Sequence, residues 1–600
     1  MAGKSRWLLA VGVIAGATLL TSAAPAPKGE ISPAALRLLD PSTQMLQMCG
    51  RGPSMGARLR EQVRLAMVQA QPERLTPAAS APPPLLAGLA SVHQPVSTRN
   101  AKTQAYFDQG LALLYGFNHA EAIRYFQEAR RLDPGCAICA WGEAFAYGPN
   151  INAPMDPDVN ARAMNAAGEA LALKQSASPA EQALIDAVAI RYSADPKADR
   201  VALDKEFAQR MLDTAQEFPD HDMIAVLAAE ALMDTQPWDY WEADRRTPKG
   251  QMGTAIALVE NVLARNPEHP QGNHLYIHLL EASVNAGKAE SAADRLAKPL
   301  VPAAGHLVHM PGHLYYRVGR FKDAIRVNVE AARVDEAFLA TSQDAGIYRF
   351  GYYPHNVHFL VTSAQMAGDG GLAISQARKL SKILNTDVTA AMPWVQPVDA
   401  AMYLAYAQFA APADILALAS PDARLPYVIG MWHYARAVAY AQQGDAAGAG
   451  REIAAIRKIR QTTDFTAMET QLVPASDLLQ LAETVAQARL AYARGKYPQT
   501  IALYRDAVRL EDGIRYMEPP FWYFPVRQSL GAALYKTGDY KAARQTFMDA
   551  LAEAPNNGWA LYGLMATQRA LGDKTGAAAT EAAFENAWAG DRRWLNMDRL

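Results

Sequence analysis

Two stretches of the chain, AYFDQGLALLYGFNHAEAIRYFQEARRLDP (105–134) and VRQSLGAALYKTGDYKAARQTFMDALAEAP (526–555), carry the same residue types at the same offsets. Gly110, Ala122, Phe126, Ala129 and Pro134 of the first match Gly531, Ala543, Phe547, Ala550 and Pro555 of the second. Small residues at these spacings let two antiparallel helices approach closely, and the proline ends the second helix. Such a unit cannot bury its apolar face alone, so copies must stack. Weaker copies follow when the glycine of the inter-helix turn is aligned: units beginning near Asn273, Gly305, Pro354, Gly430 and Leu481, with turn glycines Gly287, Gly319, Gly368, Gly444 and Gly495, plus a second helix at 254–267. The chain is thereby confined to an all-α stacked architecture.

These motifs resemble the tetratricopeptide repeat (TPR) family, in particular exported bacterial TPR proteins, to which the chain is similar in FNHAEA, CAICAWG, PWDYW, HLYIHLLEAS, HMPGH and YYPHNVHF. The resemblance implies an all-α, TPR-type helix-turn-helix solenoid, a right-handed superhelix, over residues 99–600. It also implies that positions 2, 5 and 9 of each first helix point into a concave groove. Ahead of the repeats, Lys4 and Arg6 precede an apolar run from Trp7 to Leu20 and small residues up to Ala26, the pattern of a signal peptide over 1–24. The run is shorter than the roughly 20 residues of a spanning helix. The expected localisation is periplasmic or secreted, with no membrane span after signal cleavage. Residues 25–98 read as a partly helical segment and a Pro-rich linker.

A formal charge of −2 and no long basic run argue against nucleic acid as a partner. Three cysteines are too few for a disulfide framework. Cys136 and Cys139 are spaced for a local disulfide, with metal ligation or a redox pair as alternatives, and Cys49 is left over. Gly52 to Gly56 spells GxSxG but lacks the strand and helix of a nucleophile elbow. HLYIHLLE lacks the glutamate that HExxH places after its first histidine.

The histidines carry the remaining signal. Eight of the twelve lie between 269 and 358. In the repeat frame, His274, His306 and His355 take position 2; His278, His309 and His358 take position 5 or 6; Glu281, His313 and Thr362 take position 9. Spacings of i, i+3 or i+4, and i+7 keep these side chains within about 60° of one helix face. The frame thus predicts three tiers across three helices. Neutral imidazole suits copper and zinc, and an i,i+4 pair can reach one ion, whereas i and i+7 lie about 10 Å apart. His274, His278, His306, His309, His313, His355 and His358 are therefore candidate ligands for one or two copper or zinc ions, with Glu281 as a ligand or proton acceptor. Two clusters of three histidines would match a coupled binuclear copper centre in ligand count, and one cluster with an open position would suit catalytic zinc. Met310 could assist a copper ion or serve packing.

Two aromatic insertions, DTQPWDYWEADRR (234–246) and YMEPPFWYFP (516–525), supply Trp238, Asp239, Trp241, Trp522 and Tyr523 as candidate substrate contacts. His93, His221 and His433 read as ordinary partnered histidines, His119 as a turn residue and His269 as a loop residue. Two functions follow. In one, the groove holds a metal site that oxidises or hydrolyses a small-molecule or peptide ligand. In the other, the protein is a scaffold whose groove binds a partner protein without catalysis, as TPR domains commonly do.

Overall fold

The computed structural model describes residues 82–195, 197–342 and 346–600; the stretch expected to be a signal peptide, Cys49 and the GxSxG motif lie outside them. The first clear repeat is α1 (Ala101–Tyr115) and α2 (His119–Leu132), followed by α3 (Ala137–Ala146). Asn100 caps α1 by accepting from the Lys102 and Thr103 amides, and Asn118 caps α2 by accepting from the Glu121 amide. Phe126 is clamped between two glycines: a Cβ on Gly110 or Gly142 would come within 2.8 or 2.6 Å of its ring. Phe547 sits in the same way against Gly531 and Gly563, at 2.7 and 2.3 Å. One packing solution thus serves both ends of the repeat array. Gly142→Ala is expected to lower stability by about 1–3 kcal/mol, read by denaturant unfolding, because the added methyl overpacks a buried ring.

Turn glycines behave as the frame requires at Gly319, Gly368, Gly444, Gly495 and Gly538, whose φ values of +68 to +82° lie in the left-handed region. Gly287 departs from this pattern, lying in a 3₁₀ turn, Ala286–Ala289. In the first repeat the left-handed position, φ +54°, is filled by Phe117 instead of glycine.

The described residues ahead of the repeats, 82–98, pack against them. Leu89 is fully buried, Tyr106 and Tyr125 donate to the Pro83 and Pro84 carbonyls, and Ala303 donates to the Gly88 carbonyl at 3.1 Å. Cys136 and Cys139 form a disulfide at the start of α3.

The middle of the chain supplies α4 (Asp222–Asp234), α5 (Pro270–Glu281), α6 (Gly305–His309), α7 (Pro311–Arg317), α8 (Phe321–Thr341) and α9 (Tyr353–Ala367). Pro311 has no N–H to continue the ladder of α6, so the 305–317 stretch breaks at Met310, which is buried in the apolar core. Every residue of α5 from Gln271 to Glu281 is buried. A helix buried on all faces is covered on its inner side as well as its outer one. Some of the neighbouring cover comes from far along the chain: Arg317 donates to the Glu553 carbonyl at 3.3 Å, Trp559 Nε1 to Gln365 at 2.9 Å and the Ala589 amide to Ala367 at 2.9 Å. The end of the later repeat, α10 (Val526–Lys536) and α11 (Tyr540–Glu553), and the segments after it therefore abut the histidine-bearing helices. No helix among the described residues is long and apolar enough to cross a membrane.

Candidate metal centre

Six of the seven candidate histidines gather into two triads, His274, His278 and His306 in one and His309, His313 and His355 in the other. Within each triad one nitrogen per ring lies within 4.8 Å of the others. The first triad takes an i,i+4 pair from α5 and a third ring from α6; the second takes an i,i+4 pair that spans the α6–α7 junction and a third ring from α9. His306 and His313, seven residues apart, fall in different triads, as the rise along a helix demands. The triads adjoin: the ring centroids of His278 and His313 are 5.6 Å apart, and those of His306 and His309 are 6.0 Å apart.

The grouping crosses the tiers expected from equal register. His274 and His306 stay together, but His355 joins His309 and His313, about one turn along. The connecting helix α8 has 21 residues against 14 in α2, and a π-helical turn, Tyr348–Tyr352, precedes α9. Both features displace α9 along its neighbour.

What holds the rings defines what they can do. Glu281 accepts from both triads: its Oε1 lies 2.9 Å from His278 Nδ1 and its Oε2 2.8 Å from His313 Nδ1. His274 Nδ1 lies 3.0 Å from Gln271 Oε1, whose amide nitrogen is committed to Glu230 at 2.9 Å. His309 Nδ1 lies 2.5 Å from Asn328 Oδ1, whose amide nitrogen is committed to the Ala324 carbonyl at 2.8 Å. Each partner is an acceptor at that point, so each Nδ1 carries the proton and each Nε2 keeps its lone pair. The Nε2 atoms of His274, His278 and His309, and both ring nitrogens of His306, are buried with no hydrogen-bond partner. His313 Nε2 faces His355 Nε2 at 3.1 Å. That is close to the roughly 3.3 Å between two nitrogens sharing a tetrahedral ion at about 2.0–2.1 Å.

Electrostatics favour the neutral form of His274, His278, His306, His309 and His355. Burial, and after it the other imidazoles, hold His274, His306, His309 and His355 well below the usual histidine range. Burial lowers His278 too, against the pull of Glu281. Burial alone would raise the Glu281 carboxyl, but His313 and the two histidine hydrogen bonds outweigh it and bring it down to about 2. Each triad also has an aromatic wall. Phe117 lies 4.6, 6.4 and 5.2 Å from His274, His278 and His306 between ring centroids; Phe359 lies 5.0, 4.6 and 5.0 Å from His309, His313 and His355. Tyr352 lies 4.9 Å from His306. Gly312 makes room for Asn328, whose amide nitrogen a Cβ there would meet at 2.4 Å, and a Cβ on Gly305 would meet the Asp335 carboxylate, which accepts from Tyr348 and Asn356.

The other candidate residues fall elsewhere. His358 joins neither triad; its Nε2 meets the Tyr523 hydroxyl at 2.5 Å, and Tyr523 is buried. Trp522 packs on Tyr434 at 5.2 Å and bonds the Phe524 carbonyl, away from the triads. Trp241 Nε1 donates to the Leu279 carbonyl at 2.8 Å and so fixes the first insertion on α5. Asp239 pairs with Lys249 at 2.6 Å on the surface. Trp238 lies 5.0 Å from His278 between ring centroids, nearly perpendicular to it, and is 40 % exposed, at the rim of the centre. Thr362 is buried and bonds its own helix. His93 and His433 pair with Asp108 and Glu452, His221 and His269 cap helices, and His119 meets Asn150.

Reasoning from sequence missed Gln271, Asn328, Phe117, Phe359 and the role of Glu518, whose carboxyl shares a cluster with Glu281 and His313. One of these had a visible signal. Phe117 occupies the turn position that glycine fills in the other repeats, an exception that the frame exposes.

Among family profiles, two match, both described as tetratricopeptide repeat, over residues 103–136 and 525–557. The chain carries TPR repeats. Repeats of this kind build protein-interaction scaffolds. No curated protein matches the chain. Similar solved structures include "Human IFIT1 dimer with PPP-AAAA", at 10% identity, 82% of this chain, 92% of that one and a TM-score of 0.30. Another is "Crystal structure of APC/C hetero-tetramer Cut9-Hcn1", at 12% identity, 92% of this chain, 99% of that one and a TM-score of 0.28. At such scores neither bears on the chemistry of the TPR centre.

Proposed function

We propose that the two triads hold two transition-metal ions, one each, and that this TPR protein is a metal-dependent enzyme acting on a small molecule. The observation that carries this is the set of buried, unpartnered Nε2 atoms on rings whose Nδ1 protons are already fixed. A buried polar atom left unmade costs about 1–3 kcal/mol, and several converging on one place have no other account in the fold. Ligating histidines usually donate their second nitrogen to a carboxylate or carbonyl, the pattern seen for His274, His278, His309 and His313. The donor set fits copper or zinc, and two all-imidazole triads side by side favour copper. Such ions would supply Lewis-acid or one-electron chemistry at an imidazole-ligated centre. The chain's own part is to hold: Glu281 sets the orientation of one ring in each triad, so it is a positioning residue, while Phe117 and Phe359 keep water from the rings.

A scaffold role draws support from the repeats themselves. It does not extend to the histidines, because the side chains of His278 and His313 are each only 1% exposed and could not meet a partner's segment. Elemental analysis of the full chain separates the two. Near two equivalents of copper or zinc are expected in the wild type, about one in His309→Ala and an unchanged amount in His358→Ala. A wild type that takes up neither metal, or equal loss in both variants, would remove the metal reading.

A further inference from the structure

The six rings are neither equally held nor equally covered. His274, His278, His309 and His313 each have an acceptor on Nδ1. The third ring of each triad has none: His306 keeps both nitrogens buried without a partner, and among the described residues the one polar contact of His355 is the His313 ring, 3.1 Å away. Of the six, only His355 is partly exposed. Phe359 lies against all three rings of the second triad, so this exposure comes from a side that Phe359 does not cover.

At the first triad the approach from solvent is filled. Trp238 lies 5.0 Å from His278 between ring centroids and takes the solvent contact itself, 40% exposed beside an imidazole that is 1% exposed. Its backbone sits in the left-handed region, φ +63°, which a bulky residue adopts only when its surroundings impose it. The surroundings do so here. Trp241 Nε1 ties the insertion to the Leu279 carbonyl on α5, and the Lys249 amide donates to the Tyr240 carbonyl at 2.9 Å and closes the loop. A strained, half-exposed tryptophan contributes little to a core, and what its position secures is cover for His278.

We propose that small molecules enter the centre at the second triad, past His355, and that Trp238 is a fixed cover closing the first triad to them. A ring that is open to solvent and has no acceptor to anchor it can shift to admit a further donor atom, as a metal site with an open position requires. A triad whose three rings are all enclosed suits an ion that is kept and not exchanged. That the entering molecule is a substrate and meets an ion there rests on the metal reading; the unequal access does not.

Carbethoxylation of the metal-free full chain with diethyl pyrocarbonate, mapped by mass spectrometry, reads access ring by ring. His355 is expected to react about tenfold faster or more than the other five, which become accessible only through local opening. In Trp238→Gly, where glycine accommodates the left-handed backbone, His278 should gain a similar factor while His355 is unchanged. Trp238→Phe should keep the wild-type pattern. On the metal-loaded chain, EDTA should remove one equivalent faster than the other by a similar factor, and Trp238→Gly should accelerate the slow one alone. Equal reactivity of His355 and the other rings, a wild-type His278 rate in Trp238→Gly, or release of both equivalents at one rate would overturn the proposal. The expected carbethoxylation pattern in a chain that takes up neither copper nor zinc would overturn the metal reading and leave the route standing.

Discussion

Glu281→Ala is expected to weaken both metal sites together, by about 10- to 100-fold each, because one carboxylate orients a ligand in each triad. Few single substitutions away from the ligand atoms could act on two ions at once. The same change leaves the His278 and His313 N–H groups buried without an acceptor, so the metal-free protein should lose roughly 1–3 kcal/mol per group. Glu281→Gln gives a graded result. Its amide offers one acceptor and one donor, so one histidine keeps its partner and the other faces a repelling N–H. One ion should bind nearly as in the wild type and the other should be lost or much weaker. Competition titration with a chelator of known affinity measures both constants. Wild-type affinity at both sites in Glu281→Ala would show that the carboxylate serves the core alone.

Removing the metal should lower thermal stability by a comparable amount. An ion present at a thousand times its Kd stabilises the folded state by about 4 kcal/mol, so two independent sites contribute about 8 kcal/mol. Calorimetric scans with and without a strong chelator should differ by several degrees, since about 1 kcal/mol moves Tm by a few degrees in mid-sized domains and less in a chain of this length. The difference should roughly halve in His309→Ala, which retains one triad. Identical scans would mean that the histidines pack as a neutral polar core with no ion to hold.

The fold and the ligand set were unequally legible. The glycine, alanine and proline positions of the repeat encode local events, a close helix crossing and a helix stop, so Gly110 with Phe126 and Gly531 with Phe547 could be matched before any coordinates. The clustering of histidines at helical spacing was legible for the same reason, because i,i+4 neighbours share a face in any helix. Their partition was not. His355 moves one turn because α8 is long and a π turn precedes α9, and His358 turns to Tyr523, a residue 165 positions away. The acceptors were illegible too: Gln271 looks like any polar residue in a first helical turn, and Asn328 sits mid-helix among charged neighbours. Only burial beside a histidine gives either one meaning.

By itself the sequence determined the all-α repeat fold and the residue types available at its centre, since periodicity and turn chemistry act over a few residues. The tertiary structure alone decided which three histidines share a place, that Glu281 serves both triads, and that Glu518 comes to lie beside Glu281 and His313. Those relations depend on the accumulated lengths of helices and insertions between them, and no local pattern in the sequence fixes how far one helix slides along the next.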